Sequence, residues 1–294
     1  MGTAKALTMI IHGDIPPPSR PNNPFQRRPR STVLIVSAMP FAAPLNGSVG
    51  LLRALIDRLF MDMKTDNLNI VMPRFASDKG VASNDGNTIV YFKNLEQHLI
   101  KHIKAAQIVV GCVAWLTHPA ILQALAGIKK GVSIIVQKED FLRPDLNSTS
   151  QWRSALRKRY EKLKSVSVWP GSLSMLTQAL IEDYFIDPVR CVGIYNRVKA
   201  LAAPRMHHKF LVFCRLKTDE KSTGGTPLEK IEPYAVWTGS FNLTINASNS
   251  LENAVVIADA AIAQAYFDEW EGIVFSSEPL DWEKEWIHPD YTFT

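Results

Sequence analysis

A chain of 294 residues that is 46% apolar and 21% charged can bury the core of a globular protein, because that much non-polar surface offsets the entropy of ordering. These values exclude a fibre or a small peptide scaffold, and they fit one large domain or one domain with an extension. The net charge is only +5, so where the charge lies is more informative than its sum.

The first 31 residues have the composition of an arm outside the domain. Five basic side chains stand against Asp14 alone, and six prolines lie among them. Proline has no backbone N–H, so this stretch cannot donate a regular ladder and buries little surface. We predict a basic, proline-rich arm over residues 1–31, which either tethers phosphate or forms a mobile or interface-wrapping tail. The basic residues are Lys5, Arg20, Arg27, Arg28 and Arg30.

The three cysteines predict a reducing compartment. Cys112, Cys191 and Cys214 form no C-x-x-C pair, and two of them lie in apolar runs. This pattern is typical of buried thiols rather than of a disulfide or zinc framework. No apolar run approaches the roughly 18 residues of a membrane span, and Asp14 interrupts the apolar start of the chain. We therefore expect a cytoplasmic protein that does not engage a membrane.

Residues 32–84 predict an N-terminal extension of strand, helix and strand. The two strands are expected at 32–37 and 69–72, and the helix runs from residue 47 to 63 with a leucine and isoleucine stripe. A polar loop at 77–87 then marks a domain boundary.

From residue 85 to 276 strands and helices alternate, which predicts one α/β domain. Because the strands are apolar throughout, we expect a sheet covered on both faces: a mixed, mostly parallel β-sheet sandwiched between helices. A tail at 277–294 is acidic and aromatic, and Trp282 and Trp286 are expected to pack it back on the domain. The predicted strands are 88–92, 108–116, 131–137, 190–196, 207–214, 234–242 and 253–258, and the helices are 95–106, 119–128, 151–164 and 260–274.

The helix at 151–164 carries the strongest basic patch of the chain. Trp152, Leu156, Tyr160 and Leu163 share one face, and six Lys or Arg side chains point elsewhere. A charged helix is usually only a solvated face, so alone it gives weak support for nucleic-acid binding.

Two predicted strands bring polar groups together. Alternate side chains of a strand share a face, so His207 and Lys209 project together and His208 points away. If the strands at 207–214 and 234–240 form a hairpin, Ser240 and Asn242 return to the end where His207 lies. A neutral imidazole can attack phosphorus, and an ammonium and an amide suit the charge that develops on phosphoryl oxygens. These groups indicate phosphodiester chemistry without a metal or cofactor.

At these residues the chain resembles a known family. HHK at 207–209, TGSFNLT at 238–244 and SLENAVVI at 250–257 are similar to the phospholipase D signature of H-x-K, G-S-x-N and a downstream Glu. The likeness covers roughly 88–275 and is greatest to the small nucleases that carry one motif. It implies an αβα fold in which His207 forms a phosphohistidine and Glu252 orients the imidazole. It further implies that Lys209 and Asn242 hold phosphate oxygens and that Ser240 assists.

The sequence departs from that family in two places. The family's Asp five residues after the Lys is Cys214 here, about 23 Å from His207 at ~3.3 Å per strand residue, so we expect a structural rather than a catalytic change. The segment between the motifs, 215–233, is expected to be an enlarged hairpin loop.

The family's reaction uses two imidazoles, one as nucleophile and one as general acid. This chain has one motif, because His102-Ile103-Lys104 lies in a predicted helix without a G-S-x-N partner. We therefore expect a two-fold homodimer with its sites at the interface. His98 and His102 have a zinc-binding spacing, but the third ligand is missing and flank histidines are the better interpretation.

Three functions remain open from the sequence. The first is a metal-independent endonuclease acting on DNA or RNA. The second is a phospholipase or phosphatidyl transferase, disfavoured because no amphipathic membrane helix or lipidation motif is found. The third is a catalytically inactive homologue that only binds nucleic acid.

Overall fold

The computed structural model describes residues 67–71, 77–138, 151–168, 173, 185–193, 205–219, 228–280 and 282. The chain divides into two compact units, Met1–Gly50 and Leu51–Thr294, and all described residues belong to the second. The arm, the elements predicted at 32–37 and 47–63, and Trp286 lie outside the described residues. The domain limits predicted above therefore stay predictions.

Eleven strands and six helices are found in the described ranges. The strands are β1 Val81–Ala82, β2 Thr88–Tyr91, β3 Ile108–Val113, β4 Val132–Gln137, β5 Val166–Ser167, β6 Phe185–Ile186, β7 Val189–Val192, β8 Lys209–Asp219, β9 Leu228–Gly239, β10 Ala254–Ile257 and β11 Glu278–Pro279. The helices are α1 Leu68–Val71, α2 Leu95–Ala105, α3 Pro119–Ala126, α4 Trp152–Tyr160, α5 Ile245–Asn249 and α6 Ala260–Phe275. Within these same residues every helix is too short or too polar to cross a bilayer.

Nine of the strands form one mixed sheet, in the order β1-β2-β10-β9-β8-β3-β4-β7-β11. Only β3–β4 and β4–β7 pair in parallel, and the other neighbours are antiparallel. The prediction of a mostly parallel sheet was therefore wrong. An apolar run indicates that both faces of a strand are covered. It does not indicate whether the strand runs parallel or antiparallel to its neighbours.

Helices cover both faces, as predicted. On one face α2, α3 and α4 bury Leu99, Ile121 and Leu156 against β3, β8 and β9. On the other face α6 buries Phe267 and Trp270 against alternate residues of the same strands. β3 and residues 210–214 of β8 thus contribute to both cores, which is why they contain no charged residue.

Two local predictions are corrected. The strand expected at 69–72 is instead the short helix α1, whose start is stabilised by the Asn69 N–H donating to Asn67 Oδ1 at 3.0 Å. A short apolar run does not distinguish strand from helix, and an Asn at its start favours a turn. The segment 215–233 is largely hairpin rather than loop, because β8 continues to Asp219 and β9 begins at Leu228.

The three cysteines are buried free thiols, as predicted. Cys214 pairs with Ile108 at the start of β3, whereas Lys209 pairs with Val113 at the end of β3. Burial raises the pKa of its thiol far above the ordinary value, so it is a neutral core group. The helix face predicted on α4 is also found, since Leu156 and Tyr160 are buried and Tyr160 donates to Leu116 O at 2.6 Å.

Candidate active site

The predicted site residues meet along one edge of the sheet, which we call the site edge. It consists of the carboxyl ends of β3, β4, β7 and β9 and the beginnings of β8 and β10. Two pairings define it: Val113 lies opposite Lys209, and Ala254 lies opposite Gly239. The hairpin of β8 and β9, with Phe210 opposite Thr238, brings the two motifs together as the sequence predicts.

His207 and Lys209 are in direct contact. Lys209 Nζ lies 3.1 Å from His207 Nε2 and 3.1 Å from His207 O. An ammonium has donors only, so the Nε2 atom that faces it carries a lone pair while Lys209 is protonated. Desolvation lowers the pKa of Lys209, and the nearby Glu252 carboxylate opposes that shift.

His208 points to the other side of the sheet. Its Nε2 lies 3.3 Å from Glu269 Oε1 on α6, and its ring packs edge-on against Phe210. Strand alternation thus separates the two adjacent imidazoles, and only His207 shares a face with Lys209.

Ser240 and Glu252 form the second contact. The Ser240 hydroxyl donates to Glu252 Oε2, and Ser240 Oγ accepts the backbone N–H of Asn253 at 3.0 Å. Glu252 therefore lies at the site edge and interacts with Lys209, but the hydrogen bond found for its carboxylate is to Ser240. Its predicted orientation of the imidazole stays a prediction.

Asn242 lies at the same edge between two core anchors, Phe241 and Leu243, which are both buried. Leu243 O accepts the backbone N–H groups of Thr117 and His118, each at 2.9 Å, and this pairing fixes the turn. Asn242 Oδ1 is buried and accepts no hydrogen bond from the described part of the chain.

Buried polar atoms without partners concentrate at this edge. Of the five such side-chain atoms among the described residues, three belong to residues at or just beyond the strand ends there: Trp115 Nε1, Gln137 Nε2 and Asn242 Oδ1. Native proteins leave few buried polar groups unpaired, so this concentration indicates a site that receives a polar ligand. Sequence reasoning missed Gln137, whose only indication is a polar residue that ends an apolar strand.

Gly239 is required by a close backbone approach. A Cβ at this position would lie 2.3 Å from the backbone oxygen of Asn253, the residue between Glu252 and β10. Replacing Gly239 with alanine is expected to lower the free energy of unfolding by about 3 kcal/mol, measured by urea denaturation. Gly272→Ala is the matched control, because no atom lies within 4 Å of its added Cβ in helix α6 and alanine favours helix. Equal stability of the two variants would contradict this packing.

Elsewhere, His98 and His102 make protein contacts rather than facing a common ligand. His98 Nε2 lies 2.8 Å from Asp78 O, and His102 Nε2 lies 3.4 Å from Tyr91 Oη. His102-Ile103-Lys104 lies within α2, as predicted. Burial lowers the pKa of His102, which fits an imidazole packed beside Trp237 and Phe213.

Comparison with known proteins identifies a viral relative. No family model matches the sequence. An uncharacterized protein of Acanthamoeba polyphaga mimivirus is 33% identical over 218 residues, which cover 68% of this chain and 69% of the viral protein. The chain belongs to the family of this viral protein. Membership of this family carries no activity with it.

Several solved structures resemble the chain. They include Nuc, a phospholipase D family member from Salmonella typhimurium, at a TM-score of 0.40 and 17% identity over 66% of this chain and 97% of that one. NucT from Helicobacter pylori has a TM-score of 0.38 and 16% identity over 66% and 98% of the two chains. Phosphatidylserine synthase of Haemophilus influenzae has a TM-score of 0.35 and 18% identity over 66% and 40%. With TM-scores this low, the phospholipase D resemblance depends on the motif residues and their geometry.

Proposed function

We propose that this protein is a metal-independent phosphodiesterase, an endonuclease that cleaves DNA or RNA through a phosphohistidine at His207. The observation that carries the proposal is the contact of His207 Nε2 with Lys209 Nζ at 3.1 Å, on the same sheet edge as Ser240 and Glu252. This arrangement offers a nucleophilic nitrogen beside a fixed positive charge, which is what displacement at phosphorus requires.

In the first step the Nε2 lone pair of His207 forms a bond to phosphorus, and the bond from phosphorus to the leaving oxygen breaks. Lys209 Nζ, which faces Nε2 in the free protein, then donates to a non-bridging oxygen and offsets its charge. A general acid protonates the leaving oxygen. Water, deprotonated by the same group, attacks phosphorus in the second step and releases His207.

Glu252, Ser240 and Asn242 have positioning and binding roles in this proposal. Ser240 holds the Glu252 carboxylate, and that carboxylate keeps negative charge close to Lys209. Asn242 directs its amide to a phosphate oxygen from a turn held by Phe241 and Leu243. None of these three supplies a second imidazole, so the general acid must come from elsewhere.

We further propose that the second imidazole is His207 of another copy in a two-fold homodimer. Two large apolar side chains beside the site support this interface. Phe92 follows β2 and is 40% exposed, and Leu251 immediately precedes Glu252 and is 45% exposed. Exposed apolar groups next to a polar site are typical of a surface that a partner covers.

A charged side chain introduced at this interface is expected to abolish both dimerisation and activity. In the Leu251→Glu variant, sedimentation should show monomers and phosphodiester hydrolysis should fall at least a hundredfold, because each monomer has one imidazole. Ile262→Glu is the matched control, since Ile262 is 41% exposed at the start of α6, by the other edge of the sheet. A fully active monomer would contradict the interface.

A polyanionic substrate is supported by helix α4 and the turn after it. Lys158, Lys162 and Lys164 are exposed there, whereas Arg157 is paired with Glu161 at 3.0 Å. Exposed lysines attract phosphate, and their binding releases counterions. The binding therefore weakens as the salt concentration rises. The cytoplasmic location inferred from the cysteines stays a prediction, which cell fractionation tests.

Cleavage of plasmid and single-stranded DNA and RNA in excess EDTA tests the function. We expect cleavage to continue. Hydrolysis of one phosphorus–oxygen bond should leave a phosphate on one product end and a hydroxyl on the other. Release of headgroup from phospholipid vesicles without nucleic-acid cleavage would instead favour the lipid substrate. Salt-dependent binding without turnover would favour the inactive homologue.

A further inference from the structure

A groove opens beside the candidate site on the α6 side of the sheet, and we call it the α6 groove. It has a volume of about 690 Å³ and lies between α6 and the segment that leads into β8. His207 is among the residues that line it, so the groove adjoins the position proposed for the scissile phosphate. Its lining includes Gly193, Arg205, Met206, His208, Glu269 and Ile273.

A buried amide lies beneath this groove. Gln137 ends β4 and is 0% exposed, and its Oε1 accepts the backbone N–H of Met206 at 2.8 Å. Its Nε2 donates to no acceptor in the described part of the chain. A buried donor left unpaired destabilises the folded protein, and such groups are found where a ligand supplies the partner.

Gly193 lines the groove and lies directly against that amide. A Cβ on this residue would lie 2.8 Å from both Nε2 and Oε1 of Gln137, so any side chain would press on the amide and cover it. The backbone φ of Gly193 is +112°, a conformation that favours glycine. The unpaired donor therefore lies next to a lining residue that has no side chain to cover it.

The chemistry of the α6 groove favours a base over a phosphate. Glu269, whose Oε1 lies 3.3 Å from His208 Nε2, offsets the positive charge of Arg205 in the lining, so the groove offers a further anion little net attraction. Met206 and Ile273 add apolar surface. A nucleobase is uncharged and planar, and it offers a carbonyl oxygen or a ring nitrogen to an amide donor.

We propose that the α6 groove binds the base next to the scissile phosphodiester, and that Gln137 Nε2 donates a hydrogen bond to that base. The proposal rests on the proposed function for the position of the scissile phosphate. Gln137 is then a substrate-binding residue, and its bond to Met206 fixes the backbone one residue before His207.

The test compares p-nitrophenyl phosphate esters of thymidine, substituted at the 5′ or the 3′ oxygen, with the same esters of abasic deoxyribose. For one of the two series we expect wild-type kcat/KM to be about tenfold higher with the base. In Gln137→Leu the ratio of kcat/KM with the base to kcat/KM without it should fall roughly fivefold. This expectation does not depend on the rate with the abasic ester. Gln123→Leu, an exposed glutamine of α3 on the opposite face of the sheet, is the matched control and should keep the preference.

Equal wild-type rates for both members of each pair, or an unchanged preference in Gln137→Leu, would overturn the proposal. The wild-type comparison needs no variant, and Gln137→Met replaces Gln137→Leu if the latter does not fold. Binding of the same esters to His207→Ala, measured by calorimetry, separates the two hypotheses. Base-dependent binding without any wild-type hydrolysis would support the groove and contradict the phosphodiesterase, whereas hydrolysis without base dependence would do the reverse.

Discussion

Replacing His207 with alanine is expected to lower kcat for phosphodiester hydrolysis by about 10⁴-fold or more, because the covalent route is lost with its nucleophile. The side chain is exposed and adds little to the core, so the free energy of unfolding should stay within about 0.5 kcal/mol of wild type. Steady-state hydrolysis of bis(p-nitrophenyl) phosphate and urea denaturation measure the two quantities.

His208→Ala is the matched control, since it removes the adjacent imidazole from the opposite face. His208 contacts Glu269 and Phe210 rather than Lys209, so its loss should leave kcat for this base-free substrate within about threefold of wild type. Equal losses in the two variants would contradict the assignment of the nucleophile by strand alternation.

Replacing Lys209 with alanine is expected to lower kcat by about 10²–10³-fold, the usual effect of removing one donor that stabilises a developing oxyanion. The matched control is Lys104→Ala, because Lys104 has the same H-x-K spacing on the exposed face of α2. It should behave as wild type. A loss in Lys104→Ala, or none in Lys209→Ala, would contradict the role given to the strand motif.

The pKa of Lys209 also predicts an alkaline limb in the pH profile. Desolvation lowers that pKa from 10.5, so the ammonium is lost as pH rises through a value below that of a free lysine. Activity that needs the charge therefore falls over the same interval. In Lys209→Arg the limb should move to higher pH with a lower plateau, since a guanidinium stays charged but fits differently. An unmoved limb would assign it to another group.

Much of the fold could be predicted because apolar periodicity follows the two cores. The strands around Val110 and Ile135 and the helix around Trp270 were found from their buried residues. Strand direction could not be predicted, because a strand covered on both faces is apolar whether its neighbours are parallel or antiparallel. The position of β2 beside β10 depends on contacts across most of the chain, which local patterns do not record.

Strand alternation and hairpin pairing were enough to predict part of the geometry of the candidate site. Those rules place His207 beside Lys209 and return Ser240 to the same edge. The bond from Ser240 to Glu252 depends on the pairing of β9 with β10, and Gln137 is recognised only because its amide is buried and unpaired. In the sequence, one glutamine at the end of an apolar strand resembles any other.

The most direct measurement of the central claim is isolation of the covalent intermediate. Wild-type protein mixed with an oligonucleotide labelled on one side of the scissile bond is quenched at alkaline pH, digested and mapped by mass spectrometry. The account predicts a single nucleotidyl adduct, on Nε2 of His207, that forms at least as fast as product and is missing in His207→Ala. Turnover with no adduct, or an adduct on Ser240 or His208, would contradict it.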